Sequence, residues 1–278
     1  MIVILQKLKE IRFKKFLSAI KIVRLLKNWP DYFKEFFGFT KGKETLYLFR
    51  NGIRMYLKEH ALNTRVFNEI WVYKCYNPNG FEINPSDIVL DIGANYGNFT
   101  LYAALKAKKG KIYSFEPLEE NFNLLKKNVS INNLSNVKLM MKAVSDKKGV
   151  KDLFLAKTDQ ASHSFFVGKV LGRKNSVEKI RVDTIALRDF ISNEKLSRIN
   201  FIKMDCEGAE YEILFSMKKS LQKIDKISME THYIDKKRNV LTLKKFLEKN
   251  GFDVNLYPNH ETHFINLLFA KRQKQNNP

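Results

Sequence analysis

The stretch Ile88-Val89-Leu90-Asp91-Ile92-Gly93-Ala94-Asn95-Tyr96-Gly97-Asn98-Phe99-Thr100 constrains this chain more than any other. A short apolar run meets an acidic residue, passes a turn bracketed by two glycines, and continues as a helical pattern. A buried parallel strand delivers its C-terminal end to a ligand in this way. Gly93 and Gly97 lack a Cβ, so the backbone can take a positive φ and approach a bound molecule closely. Asp91 at the strand tip can accept from an ammonium, and the helix amides behind the turn can donate to a carboxylate. The turn Gly93, Ala94, Asn95, Tyr96, Gly97 therefore suits an amino-acid-like group carrying one cation and one anion. Gly-x-Gly-x-x-Gly and the Walker loop are both absent. A tight strand-to-helix turn without a ligand is the plain alternative.

The next apolar run, Lys111–Phe115, ends at Glu116-Pro117, with Glu116 19 residues past Gly97. An acid at roughly that offset meets ribose hydroxyls in dinucleotide folds, so a nucleoside is expected. Pro117 presets φ for a helix, and Leu118, Phe122, Leu125 and Val129 give it one apolar face. A third strand, Val137–Met141, leads to Ser145 and Asp146, where a side chain and backbone amides could meet an adenine edge. Val150–Ala156 reads as a hairpin strand, and the polar segment 157–179 as a mobile loop carrying substrate contacts. The strand Asn200–Asp205 ends in Cys206-Glu207-Gly208-Ala209-Glu210, and Ile224–Met229 ends in Glu230-Thr231-His232. Acidic and small residues at strand ends again mark the ligand edge of an open sheet. Asn250-Gly251 stops a helix, and two closing strands form an antiparallel pair.

Three segments are expected: a basic amphipathic leader (1–40), a cap of hairpin and helix (41–84), and the catalytic domain (85–278). In the leader, Phe13, Phe16, Leu17, Ile20 and Val23 recur at helical spacing, with Lys14, Lys15, Lys21 and Arg24 on other faces. Charges break every apolar run well short of the roughly 18 residues that spanning requires. Such a helix lies on a membrane surface, docks on a partner, or packs on its own domain. In the cap, Asn51-Gly52 between two alternating runs signals a hairpin, followed by a helix carrying Val66, Ile70 and Tyr73. The net charge of +21 favours anionic partners, nucleic acid among them, although a solvated lysine surface explains it equally. Cys75 and Cys206 are far apart and form no CxxC, pointing to a reducing, cytoplasmic compartment and against zinc.

The motifs Leu90-Asp91-Ile92-Gly93-Ala94-Asn95-Tyr96-Gly97, Phe115-Glu116-Pro117, Ile202-Lys203-Met204-Asp205-Cys206-Glu207-Gly208-Ala209-Glu210 and Glu230-x-His232 together resemble the FkbM family of S-adenosylmethionine-dependent methyltransferases. The resemblance covers about Phe67 to Ala270 and implies an α/β, Rossmann-like class I methyltransferase. Its seven-stranded, mostly parallel sheet, with helices on both faces, would have strand order 3-2-1-4-5-7-6. Carried over, Asp91, Gly93, Asn95 and Gly97 would surround the methionine part of S-adenosyl-L-methionine. Glu116 would hold the ribose, Ser145 and Asp146 would border the adenine, and Asp205 would face the transfer centre.

A sulfonium carries an activated methyl, so the protein has to align an oxygen and remove a proton. His232 is the first choice of base, because its ordinary pKa lies near neutrality. Asp205 is the second, and Glu230 completes the set. The rival reading of Asp205, Glu207, Glu230 and His232 is a divalent-metal site gripping a diol. The expected acceptor is a hydroxyl on a sugar, glycan or related metabolite. One alternative is an RNA methyltransferase, for which the basic charge and Asn128–Asn133 speak, although no RNA-binding motif is visible. Another is a non-catalytic docking protein with a vestigial pocket.

Overall fold

A computed structural model describes residues 16–40, 44–58, 61–156, 163–164, 177–258 and 265–273. Helix α1 (residues 16–25) and α2 (Trp29–Phe36) precede a hairpin of β1 (Glu44–Leu48) and β2 (Arg54–Lys58). Helix α3 (Ala61–Phe67) follows and widens into a π-helical turn, Asn68–Val72. Beyond β3 (Ile88–Ile92), α4 (Asn98–Lys106), β4 (Lys111–Phe115), α5 (Glu119–Ile131) and β5 (Val137–Met140) come the strands β6 (Ala143–Ser145), β7 (Gly149–Ala156), β8 (His163–Ser164) and β9 (Val177–Ala186). The chain closes with α6 (Leu187–Asn193), β10 (Phe201–Met204), α7 (Glu210–Ser216), β11 (Lys226–His232), α8 (Val240–Lys249), β12 (Phe252–Pro258) and β13 (Ile265–Arg272).

Seven strands pair in the order β12-β13-β11-β10-β3-β4-β5. Only β13 runs against its neighbours, pairing antiparallel with β11 and β12. Numbered along the sheet, this is the expected order 3-2-1-4-5-7-6. The apolar runs of β3, β4 and β10 are buried on both faces, as central parallel strands must be. One face is covered by α6, α7 and α8 through Phe190, Ile213, Leu214, Leu243 and Leu247. The other is covered by α4, with Leu124 of α5, and by the N-terminal elements, whose Ile22, Leu26, Tyr47, Phe67 and Trp71 join Phe99, Ile112 and Phe201 in one cluster. The order reverses between β3 and β10, so the connections that follow them leave toward opposite faces of the sheet and open a crevice at its C-terminal edge.

Several expectations are corrected. Helix α1 buries Ile22, and Leu26 just after it is buried in a bridge to Phe49, rather than the anticipated stripe: Phe16 and Leu17 are exposed, and Phe13 lies outside the described residues. Tyr73 is exposed, because the π-helical turn rotates the following chain while burying Ile70, Trp71 and Val72. On α5 the buried face includes Asn128, whose amide bonds both Tyr56 and Tyr96 carbonyls, and Asn132 likewise binds the backbone of Arg54. These asparagines tie the hairpin to the helix, so the pattern that hinted at RNA has a structural use. β7 and β9 pair along eight residues in a separate, four-stranded sheet, and β9 begins at Val177. The anticipated substrate loop lies, apart from β8 and the start of β9, outside the described residues.

Candidate functional site

The crevice is formed by backbone geometry first. Gly93 has φ +75°, and a Cβ there would stand 1.8 Å from the Asp205 carbonyl oxygen, so the loops after β3 and β10 meet as closely as peptide groups allow. The Gly93 and Ala94 amides donate to the Phe115 carbonyl, and the Asp205 amide donates to Ile92, locking three strand ends together. Asn95 and Glu207 both lie in the left-handed region, at φ 51° and 54°. Non-glycine residues held there cluster at functional sites.

Into this frame Lys203 projects from β10. Its Nζ donates to the Gly93 carbonyl at 2.6 Å and stands 3.4 Å from Asp91 Oδ1 and 4.0 Å from Asp205 Oδ2. Burial alone would depress the ammonium, but Asp91 and Asp205 outweigh it and hold its pKa above the ordinary value. Asp91 is wholly buried, and its Oδ2 accepts from the Thr100 hydroxyl at 2.6 Å. It therefore faces Lys203 and Thr100 rather than the cleft wall. The sequence carried a signal for Lys203, a lone cation inside the run Phe201-Ile202-Lys203-Met204, whose role was missed.

Gly93, Ala94, Asn95, Glu116, Pro117 and Asp205 all line one cleft. Glu116 Oε2 accepts from the Asn95 amide at 2.8 Å and Oε1 from Leu118 at 3.0 Å, which leaves lone pairs on both oxygens. Burial lifts its pKa to about 7, against the lowering effect of those amides. Leu118, Val144 and Leu153 give an apolar slot beside it. A glycine cradle, a two-oxygen acceptor and an apolar slot in sequence fit an adenosyl amino acid. Tyr96, Gly97, Ser145 and Asp146 do not line this cleft. Ser145 instead donates to Asp146 and Glu212, which Lys151 bridges. Ala143 and Val144 occupy the wall in their place.

Asp205 and Glu207 line the far side of the cleft, and behind them, outside its lining, stand Glu210, Glu230 and one imidazole. His232 at the end of β11 is buried, with Nδ1 2.8 Å from Glu210 Oε1 and Nε2 3.3 Å from Glu207 Oε2. Tyr211 donates to the His232 carbonyl at 2.7 Å, fixing the strand end. Burial raises the Glu210 carboxyl, but the attraction and hydrogen bond of His232 prevail and its pKa is lowered. Glu230 is pushed well above the carboxylate range by desolvation and by Asp205, with His232 opposing. Desolvation and the neighbouring acids likewise raise the Cys206 thiol, which argues against a thiolate nucleophile. Tyr76, from the N-terminal elements, donates to Asp205 Oδ2 at 3.3 Å, and no sequence motif pointed to it. Asp205, Glu207 and His232 each offer a ligand atom within 4.8 Å of the others, a geometry open to a divalent cation. No helix among the described residues is long and apolar enough to cross a membrane.

A family model described as the methyltransferase FkbM domain matches residues 91–254. "Methyltransferase 1" of Beauveria bassiana (strain ARSEF 2860) is 29% identical over 205 residues, covering 68% of this chain and 80% of its own. The "31-O-demethyl-FK506 methyltransferase FkbM" of Streptomyces tacrolimicus is 26% identical over 196 residues, covering 61% and 75%. The "2-O-methyltransferase NoeI" of Sinorhizobium fredii (strain NBRC 101917 / NGR234) is 28% identical over 149 residues, covering 50% and 60%.

Proposed function

This chain belongs to the FkbM family of S-adenosylmethionine-dependent methyltransferases, and on that premise we propose that its acceptor is a hydroxyl oxygen of a sugar, glycan or related metabolite. The observation that carries this reading is the buried Glu210–His232 pair beside the acidic edge of the cleft. Bound cofactor supplies an activated methyl on a sulfonium. Gly93, Ala94 and Asn95 would hold its amino-acid part, Glu116 its ribose, and Leu118, Val144 and Leu153 its base. Asp91 acts through Lys203, neutralising the ammonium that braces the Gly93 carbonyl.

His232 is the base in this proposal. The Glu210 carboxylate accepts from Nδ1–H, and Nε2, 3.3 Å from Glu207, is the nitrogen that serves as base once the acceptor hydroxyl stands between it and that carboxylate. Nε2 takes the acceptor proton as its oxygen attacks, and Glu210 stabilises the imidazolium. Glu207 and Asp205 are suited to receive hydrogen bonds from neighbouring hydroxyls of a polyol. Burial and Asp205 shift the Glu230 carboxyl toward its protonated form, and it is not the base in this proposal. The names of two relatives, which specify O-methylation, support a hydroxyl acceptor. A second reading, a divalent cation held by Asp205, Glu207 and His232, rests on their convergence.

The test is a methyl-donor assay with radiolabelled S-adenosylmethionine across sugar-nucleotide, glycan and transcript pools, each with and without chelator. Label in a neutral-sugar hydroxyl that survives chelation supports the base reading. Loss on chelation with recovery on adding magnesium or manganese favours the metal. Label in the transcript pool alone overturns the acceptor assignment.

A further inference from the structure

The N-terminal helices carry a surface that the methyl-transfer chemistry does not use. Phe36, Phe37 and Phe39 are 52%, 65% and 78% exposed. Their rings form a continuous tip, Phe36 to Phe37 at 5.3 Å and Phe37 to Phe39 at 6.4 Å. Tyr32, itself buried, stacks on Phe36 at 6.2 Å and anchors the tip to the core. The chain is held in this shape by its backbone: Gly38, two residues past α2, lies at φ +73°, its amide donates to the Glu35 carbonyl, and the Phe39 amide donates to the Lys34 carbonyl. Trp29, Phe16 and Leu17 add exposed apolar surface on α2 and α1. By contrast, the exposed hydrophobics of the sheet domain, Met141, Val150, Tyr233, Leu241 and Tyr257, are scattered along the chain. Isolated exposed apolar residues are ordinary, whereas a run of exposed aromatic rings in mutual contact marks a contact surface.

Charge indicates what that surface contacts. Lys21, Arg24 and Lys27 are exposed on α1 and the turn into α2. The two acids of α2 do not offset them: Glu35 is buried under the Tyr47 hydroxyl at 2.6 Å, and Asp31 pairs with Lys34. Residues 1–40 hold nine Lys and Arg against three acids. A second copy of this chain would oppose like charges, which disfavours self-association through the same face. A segment that combines exposed aromatic rings with exposed Lys and Arg has the composition of one lying in a lipid interface, and anionic headgroups attract each nearby cation.

We propose that the Phe36–Phe37–Phe39 tip, together with the exposed cations of α1 and the turn into α2, docks this protein on an anionic lipid surface, with the rings entering the acyl boundary. The docking is peripheral, and it holds whichever acceptor the active site takes.

The full chain is tested by sedimentation with vesicles of pure phosphatidylcholine and of phosphatidylcholine containing about 30% phosphatidylglycerol. The readout of depth is fluorescence, because the chain has two tryptophans, Trp29 exposed and Trp71 buried against Asn98. Vesicles with brominated acyl chains are expected to quench Trp29, and Trp29→Phe should remove that quenching while sedimentation persists. The variant Phe36→Ser/Phe37→Ser/Phe39→Ser replaces side chains that are each more than half exposed and should keep the thermal midpoint near the parent's. Its vesicle affinity should fall by about tenfold or more, while binding of the unchanged protein weakens with added salt. The proposal is overturned by failure to sediment, by equal binding to neutral vesicles, or by a triple variant that binds like the parent. Equilibrium sedimentation showing that the patch is closed by self-association without lipid overturns it too.

Discussion

His232 Nδ1 lies 2.8 Å from a Glu210 carboxylate that has no solvent exposure. The pair joins β11 to α7 and turns the other ring nitrogen toward Glu207. His232→Ala should lower kcat by about two to four orders of magnitude. S-adenosylhomocysteine affinity should hold, because His232 lies outside the cleft lining. Steady-state rates beside calorimetric titration check both.

Glu210→Gln keeps the hydrogen-bonding shape and removes the charge. The acid limb of the rate profile should move to lower pH, because a carboxylate that favours the charged imidazole is gone. Stability changes as well. The folded pKa of Glu210 is depressed, so its contribution is present above the ordinary value of about 4.3 and is lost as pH falls through the folded one. Acid denaturation of Glu210→Gln should accordingly depend less on pH below about 4.3 than that of the parent. Urea midpoints measured from pH 3 to 7 check the sign.

Glu116 is displaced the other way, with burial lifting its pKa to about 7. A raised carboxyl pKa means that the folded protein binds the extra proton between the ordinary value and 7, so this group's contribution to stability falls as pH rises across that window. Its ionised form accepts from two hydroxyls, so S-adenosylhomocysteine affinity should rise with pH, by up to about tenfold per unit below 7. Glu116→Gln should flatten that dependence and weaken binding at pH 8. Titrations at pH 6, 7 and 8 decide it.

Lys203 and Asp91 form a buried ion pair at 3.4 Å. Lys203→Met strands the carboxylate and should cost about 3–5 kcal/mol of stability. Asp91→Asn/Lys203→Met should recover much of that loss, because both charges leave together. Folded-state stability from urea curves of the two single variants and the double variant gives the coupling.

Gly93→Ala should be among the most destructive single changes in the chain. The new Cβ would meet the Asp205 carbonyl at 1.8 Å from a backbone at φ +75°, where backbone must move. A loss of about 3 kcal/mol or more is expected from strain and clash together. A thermal midpoint close to the parent's would contradict the observed closeness of the two loops.

The individual strands and helices and the cleft's glycine and acid tips were legible in the sequence, because period, apolar runs and turn residues are local properties that follow from backbone sterics and solvent exclusion, whereas the strand order was implied only by the family resemblance. Asp91, Gly93, Glu116 and His232 announced themselves by their position at strand ends. Whether Asp91 meets a ligand or a lysine was not local. Lys203 lies 112 residues downstream, and only the pairing of β10 beside β3 brings its ammonium to that carboxylate. The same holds for Tyr76 against Asp205, for Glu210 behind His232, and for Asn128 spent on the hairpin rather than on an external partner. Which acid orients, which binds and which merely neutralises depends on distances of a few ångströms and on shared burial, and those exist only once the sheet has closed.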